Sequence, residues 1–251
     1  MSNYIMKYSK QYQGYAPKEF FYGFIGKNLP IKNHWYSKPE DLEQNKKILS
    51  EEIGISRDSF CFLEQIHSNK CFVIQTKESI SIKNQGDALA THLKNVALIV
   101  LTADCVPVLF FDSKQKNVAI AHAGWKGAIS GVIENTIETM ISLGSAAQDI
   151  DVVIGPCIQQ ESYEVSADFY KDFISTNPIY KNFFIPSVKP EHFMFDLPGF
   201  VINILKINHI EKISYLGENT YNSKNWFSYR EDTHMNQKVR SGHILSFIGI
   251  K

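Results

Sequence analysis

One thiol and two imidazoles carry the chemistry this sequence could do. His67, Cys105 and His122 each stand at or near the end of an apolar run. Ala97–Leu101 and Val106–Phe111 flank the polar step Thr102-Ala103-Asp104-Cys105, and Val118–Ala121 delivers His122 into Ala123-Gly124-Trp125-Lys126-Gly127. Burying Asp, Cys and His costs free energy unless each has a partner. Two imidazoles and a thiolate suit a borderline-soft ion such as zinc, and three protein ligands leave a fourth position for water or substrate. Such an ion can lower the pKa of its water to about 7. The long spacing has little pattern specificity, and a buried free thiol beside two hydrogen-bonded histidines satisfies it as well.

Neighbours follow from strand parity. Side chains alternate along a strand, so Gln65 shares a face with His67 and is a candidate substrate contact. Asp104 is expected to face away from Cys105. There it would orient an imidazole from behind or cap a turn or helix. Gly124-Trp125-Lys126-Gly127 precedes a helical pattern. Glycine-rich backbone at a helix start is an anion site to which Lys126 adds charge, unless these glycines only make a tight turn. Arg57, Arg230 and Arg240 are the only arginines. Arg binds oxyanions bidentately where Lys does not, so Arg230, in an expected strand Trp226–Arg230, is a candidate anion ligand or else half of a surface salt bridge.

The elements that must position these groups read as one domain. The chain has 251 residues, 44% hydrophobic and 21% charged, with a net charge of zero. That is ordinary for a globular protein with a substantial core, and nothing in it suggests a nucleic-acid or anionic-membrane surface. Cys61, Cys71, Cys105 and Cys157 form no CxxC pair. With no apolar run of membrane-span length and no apolar leader, they read as reduced thiols of a cytoplasmic protein.

Residues 1–19 read as a loose lead-in and Gly26–Ser37 as loop. Strands are expected at Phe20–Ile25, Phe60–Ile66, Cys71–Gln75, Val152–Ile154, Lys212–Leu216, Trp226–Arg230 and Ile244–Ile250, besides the runs around the thiol. Pro39–Ile53 begins with proline and acids, as a helix should. Ala128–Leu143 carries apolar residues at i, i+3, i+4 spacing and stops at Gly144. Ala167–Ile174 and Leu197–Ile207 complete the expected helices. Gly86-Asp87 reads as turn chemistry. The fold class is α+β.

These motifs resemble a known family. Gln65-Ile66-His67-Ser68, Gly86-Asp87-Ala88, Thr102-Ala103-Asp104-Cys105-Val106-Pro107, His122-Ala123-Gly124-Trp125-Lys126-Gly127, Gly155-Pro156, Tyr163-Glu164-Val165 and Phe227-Ser228-Tyr229-Arg230 together are similar to the YfiH-type family. Its members are called laccase-domain multicopper polyphenol oxidoreductases or purine nucleoside phosphorylases. The likeness runs from about residue 20 to the C-terminus. It implies layered mixed sheets flanked by helices, with zinc held by His67, Cys105 and His122. The implied activity is phosphorolysis of adenosine, inosine and methylthioadenosine to base and sugar 1-phosphate, with adenosine deamination besides. Copper-dependent laccase chemistry and peptidoglycan-precursor editing are also attributed to members. This chain departs from the pattern at Lys27, where members carry Arg before a Gly-Gly loop, at Gln159 and Gln160, where many have Gly-Pro, and at His243, where they carry Arg.

A zinc-dependent purine nucleoside phosphorylase is therefore the expected function, with purine nucleosides and phosphate as partners. Cys105, His122 and His67 form its catalytic centre and Asp104 its possible proton carrier. Gln65, Gly124, Lys126 and Arg230 are the expected substrate contacts. Copper oxidation of phenols is a rival, since His₂Cys ligation occurs in copper centres. It suffers because only one site is visible and no Met lies beside it. A metal-free Cys105–His122 nucleophilic dyad is another rival. A structural metal would need a fourth ligand, for which Cys157 and His243 are candidates.

Overall fold

The computed structural model describes residues 19–29, 31, 39–79, 84–235 and 242–251. Most of the expected lead-in and part of the Gly26–Ser37 loop lie outside them. The elements run β1 (Phe20–Ile25), α1 (Pro39–Ile53), β2 (Phe60–Cys61), β3 (Cys71–Ile74), β4 (Ala88–Thr91), β5 (Val96–Thr102), β6 (Val106–Asp112) and β7 (Asn117–Ala123). They continue with α2 (Trp125–Ser130), α3 (Val132–Ser142), β8 (Ile150–Ile154), β9 (Glu164–Ser166), α4 (Ala167–Thr176), β10 (Phe184–Pro186) and β11 (His192–Phe195). α5 (Leu197–Ile207), β12 (Lys212–Tyr215), α6 (Tyr229–His234) and β13 (Ile244–Ile250) close the chain.

Two mixed sheets lie face to face, one ordered β1-β13-β5-β2 and the other β12-β8-β6-β7-β4-β3, with a small third sheet β10-β11-β9. Alternation along the central strands explains the layering. In β5, Val96, Leu98 and Val100 point into the core between the sheets, where Leu109 and Phe111 of β6 meet them. Ala97, Ile99 and Leu101 point the other way, onto Leu49 of α1. Val106, Val108 and Phe110 face Ile133, Ile137 and Met140 of α3 and Phe200 and Val201 of α5. Strands buried on both faces read as unbroken apolar runs, as these do. The result is a single α+β domain with layered sheets flanked by helices.

The structure corrects four expectations. Thr102–Cys105 is not a strand step: β5 and β6 belong to different sheets, and Ala103–Cys105 is the bend between them. Parity therefore does not govern Asp104, which turns the corner at φ 88°, a region Asp tolerates better than most residues. Within Phe60–Ile66 only Phe60–Cys61 is strand. The stripe over Ala128–Leu143 is two helices, because Gly131 takes φ 99° and ends α2. Trp226–Arg230 is not a strand: Ser228 accepts from the Glu231 amide and caps α6. β4 and the β9–β11 sheet were not anticipated.

Candidate metal centre and its cleft

The centre sits at one end of the six-stranded sheet, where β7 finishes and β4 and β6 begin. His122 is the penultimate residue of β7 and is 3% exposed. Cys105 immediately precedes β6, and His67 comes from the bend before β3. Their ligand atoms all lie within 4.8 Å of one another. Cys105 Sγ is 3.8 Å from His67 Nε2, and the two imidazoles meet edge to face at 4.8 Å between centroids. Ligand atoms about 2.0–2.3 Å from a tetrahedral zinc stand roughly this far apart.

Asp87 holds the arrangement. It is fully buried and precedes Ala88, which pairs with Ala121 across β4 and β7. Its carbonyl accepts from the His122 amide at 2.7 Å, and its Oδ1 lies 2.8 Å from His122 Nδ1. The carboxylate also accepts from the backbone amides of Ile66, His67 and Ser68 and from the Ser68 hydroxyl. Those bonds hold His67 at φ 58°. One carboxylate thus orients both histidines, with His122 Nε2 left for the centre. Of the two roles expected of Asp104, orienting an imidazole belongs instead to Asp87, which local spacing marks only as turn chemistry. The signal for it in the sequence is an Asp one residue before an apolar strand.

The charges agree with that geometry. Burial alone would raise the Cys105 thiol, but the His122 and His67 imidazoles outweigh it and hold it at about 6. Burial would lower His122, yet the Cys105 thiolate and the Asp87 carboxylate raise it to about 9. Asp87 is raised by burial and lowered more strongly by His122 and Ser68, so it lies below the usual carboxylate range. Each group thus favours the charged form of the other, the imidazoles the Cys105 thiolate and the thiolate and Asp87 the His122 imidazolium.

Gly124 closes the back of the centre. A Cβ there would come within 2.6 Å of His67 Cδ2 and 3.0 Å of Cys105 Sγ. A Cβ on Gly127 would approach the Ser68 carbonyl at 3.0 Å. Close packing accounts for both glycines. The donor set, the carboxylate behind His122 and the side-chain-free cradle at Gly124 all fit a bound ion. Neither Cys157 nor His243 joins the group. Cys157 instead lies with Gln159 and beside Tyr215.

A cleft of about 680 Å³ opens over His67 and Cys105. Asp104, Trp125, Lys126, Tyr163 and Arg230 also line it. Arg230 is fixed: Nη1 donates to the Glu164 carbonyl at 2.9 Å, and the guanidinium stands 5.2 Å over the Tyr163 ring. Lys126 Nζ lies 5.4 Å over Trp125. Asp104 Oδ2 accepts from the Arg230 amide at 2.7 Å and Oδ1 from the Thr220 hydroxyl at 2.6 Å. Asp104 therefore caps α6 and ties the Cys105 bend to Arg230, touching neither imidazole. Gln65 is not in the cleft wall. Its amide both donates to and accepts from the Leu101 backbone at 2.8 Å, so it completes the sheet edge beside β5. Lys27 donates to the Ser223 carbonyl at 2.8 Å and braces the segment leading to α6.

The sequence profile of the family described as multi-copper polyphenol oxidoreductase laccase matches residues 13–251. The chain belongs to this laccase family. Its relatives include a purine nucleoside phosphorylase of Rickettsia prowazekii, 36% identical over 93% of this chain and 98% of that protein. One of Pseudomonas aeruginosa is 28% identical over 89% of this chain and 86% of its own length. Among solved structures, the hypothetical protein YfiH of Bacillus licheniformis superposes with a TM-score of 0.79 at 26% identity, over 92% of this chain and 93% of that one. A Neisseria meningitidis protein of the same fold gives 0.77 at 26% identity, covering 94% and 96%. Among the described residues of this laccase-family chain, no helix is long and apolar enough to cross a membrane.

Proposed function

We propose that this chain is a zinc-dependent purine nucleoside phosphorylase acting on adenosine, inosine and methylthioadenosine, with adenosine deaminase activity at the same centre, in a reducing cytoplasm. One observation carries the reading. Two cations, Lys126 and Arg230, and three aromatic rings, Trp125, Tyr163 and Tyr229, line the same cleft as His67 and Cys105. A cleft of this volume suits a small molecule, and the mix of π faces and oxyanion donors suits a nucleoside beside a phosphate. The relatives named purine nucleoside phosphorylase support the same reading.

In phosphorolysis a phosphate oxygen forms a bond to C1′, the C1′–N9 bond breaks, and its electron pair leaves with the purine. The barrier falls mainly through positioning and charge stabilisation. Arg230, held by Glu164 and by Asp104, and Lys126 bind the phosphate. Trp125 and Tyr229, both on the cleft wall, offer ring surface to the purine. His67, Cys105 and His122 would hold the ion, and Asp87 keeps both imidazoles aimed. Zinc held there would supply positive charge and water activation, the chemistry that hydrolytic removal of the adenine amino group requires.

A second reading has its own observation. The Cys105 thiol lies within 4.8 Å of a His122 ring nitrogen, and His122 is backed by Asp87, the arrangement a metal-free nucleophilic dyad needs. Incubating the purified protein with adenosine, with and without phosphate, separates the readings. Ribose 1-phosphate formed only with phosphate supports phosphorolysis, and inosine supports deamination. Neither product from zinc-loaded protein overturns the proposal.

A further inference from the structure

The outer wall of the cleft is the last turn of α6, and it holds a polar pair with no part in the scheme above. Thr233 and His234 line the cleft there. His234 follows Arg230 by four positions in the helix, so both side chains stand on one face, roughly 6 Å apart at Cβ. His234 Nδ1 lies 3.0 Å from the Tyr221 hydroxyl, with the rings edge to face. Tyr221 is itself placed: its amide donates to Asn219 Oδ1 at 3.1 Å, and the Asn219 amide donates to Ser162 and Glu161. With Nδ1 engaged, Nε2 is the ring nitrogen left for a ligand. The Tyr221 hydroxyl can either donate to Nδ1 or accept from it; in the first arrangement the ring carries its proton on Nε2.

We infer that His234 is a specificity-determining residue that donates from Nε2 to N7 of a bound purine. The inference rests on the nucleoside reading above. N7 is an acceptor on both 6-amino and 6-oxo purines, so a single donor serves adenosine and inosine alike. The placement is consistent with the reaction. Arg230 holds the anion near C1′, and His234, one turn along the same face, reaches the far side of the glycosidic bond. A donor on N7 also draws density from the departing purine.

The test is equilibrium binding of inosine and of 7-deazainosine, which lacks N7, to wild type and to His234→Ala, by calorimetry without phosphate. One neutral hydrogen bond is worth up to about tenfold in affinity. Wild type should prefer inosine by about that factor, and His234→Ala should bind both ligands equally and weakly. His234 is exposed, so the variant should melt with wild type. A preference that survives in His234→Ala, or is missing in wild type that does bind inosine, overturns the inference alone. Wild type that binds neither ligand overturns the nucleoside reading and the inference with it.

Discussion

His122, near the end of β7, and Asp87, in the bend just before the antiparallel β4, face each other, Nδ1 to Oδ1 at 2.8 Å, both all but sealed from solvent. The backbone joins them as well, through the bond from the His122 amide to the Asp87 carbonyl. Asp87 is thus shared between β7 and the His67 bend, and a single side chain sets the aim of two ligands.

Replacing Asp87 should therefore act on both histidines. Asp87→Asn places an amide among backbone donors that need an acceptor. Loss of such an outer partner lowers metal affinity by about 10–100-fold, measurable by competition with a chromophoric chelator. Asp87→Ala should in addition cost about 3–5 kcal/mol of stability by denaturant unfolding, as removal of one member of a buried ion pair does. Unchanged zinc affinity in both variants would contradict the role assigned to Asp87.

Gly124→Ala tests the cradle. The backbone there, φ −71° and ψ 164°, is open to any residue, so the effect comes from the Cβ alone. That atom would press on His67 Cδ2 and Cys105 Sγ. Overpacking of this kind costs about 1–3 kcal/mol. The expected result is a folded protein by circular dichroism with strongly reduced zinc stoichiometry.

Thiol chemistry gives a pH prediction for metal-free protein. A thiol with a depressed pKa is thiolate above that value and loses reactivity as pH falls through it. Cys105 alkylation should stay near its plateau at pH 7 and fall with a midpoint of about 6. Cys61 and Cys157, pushed up by burial to about 12, and Cys71, to about 11, should remain unmodified. His122→Ala removes the largest lowering influence and should move the midpoint upward. Mass spectrometry after brief iodoacetamide treatment reads both outcomes, and saturation of Cys105 by zinc should block the reaction.

Asp104 is expected to be a positioning residue, not a proton carrier. Its oxygens hold Thr220 and the first turn of α6. Loss of such a cap costs about 1 kcal/mol, which should appear as a roughly fivefold rise in the KM for phosphate. Asp104→Asn should keep its zinc and leave the shape of the pH–rate profile unchanged. A profile that loses one limb would restore Asp104 to proton transfer.

The periodic elements were legible from residue order. β1, α1, α5 and β13 lie where their patterns end, because capping residues, glycines and apolar spacing are local signals. The three candidate ligands were legible too, as polar side chains at the ends of apolar runs. Asp87, expected only as a turn residue, takes the imidazole-orienting role, and Asp104 takes the capping role that was the other expectation for it. Parity holds only along a continuous strand, and the crossing from one sheet to the other at Ala103–Cys105 ends it.

By itself, then, the sequence determined most of the apolar strands and helices and the motifs that mark the family, all features written within a few residues of one another. Tertiary structure alone decided which carboxylate stands behind His122, that Gln65 serves the Leu101 backbone, and that Arg230 shares a cleft with Cys105. Those relations join residues far apart in the chain. They depend on which strands pair and where the chain changes sheets, which no local spacing records.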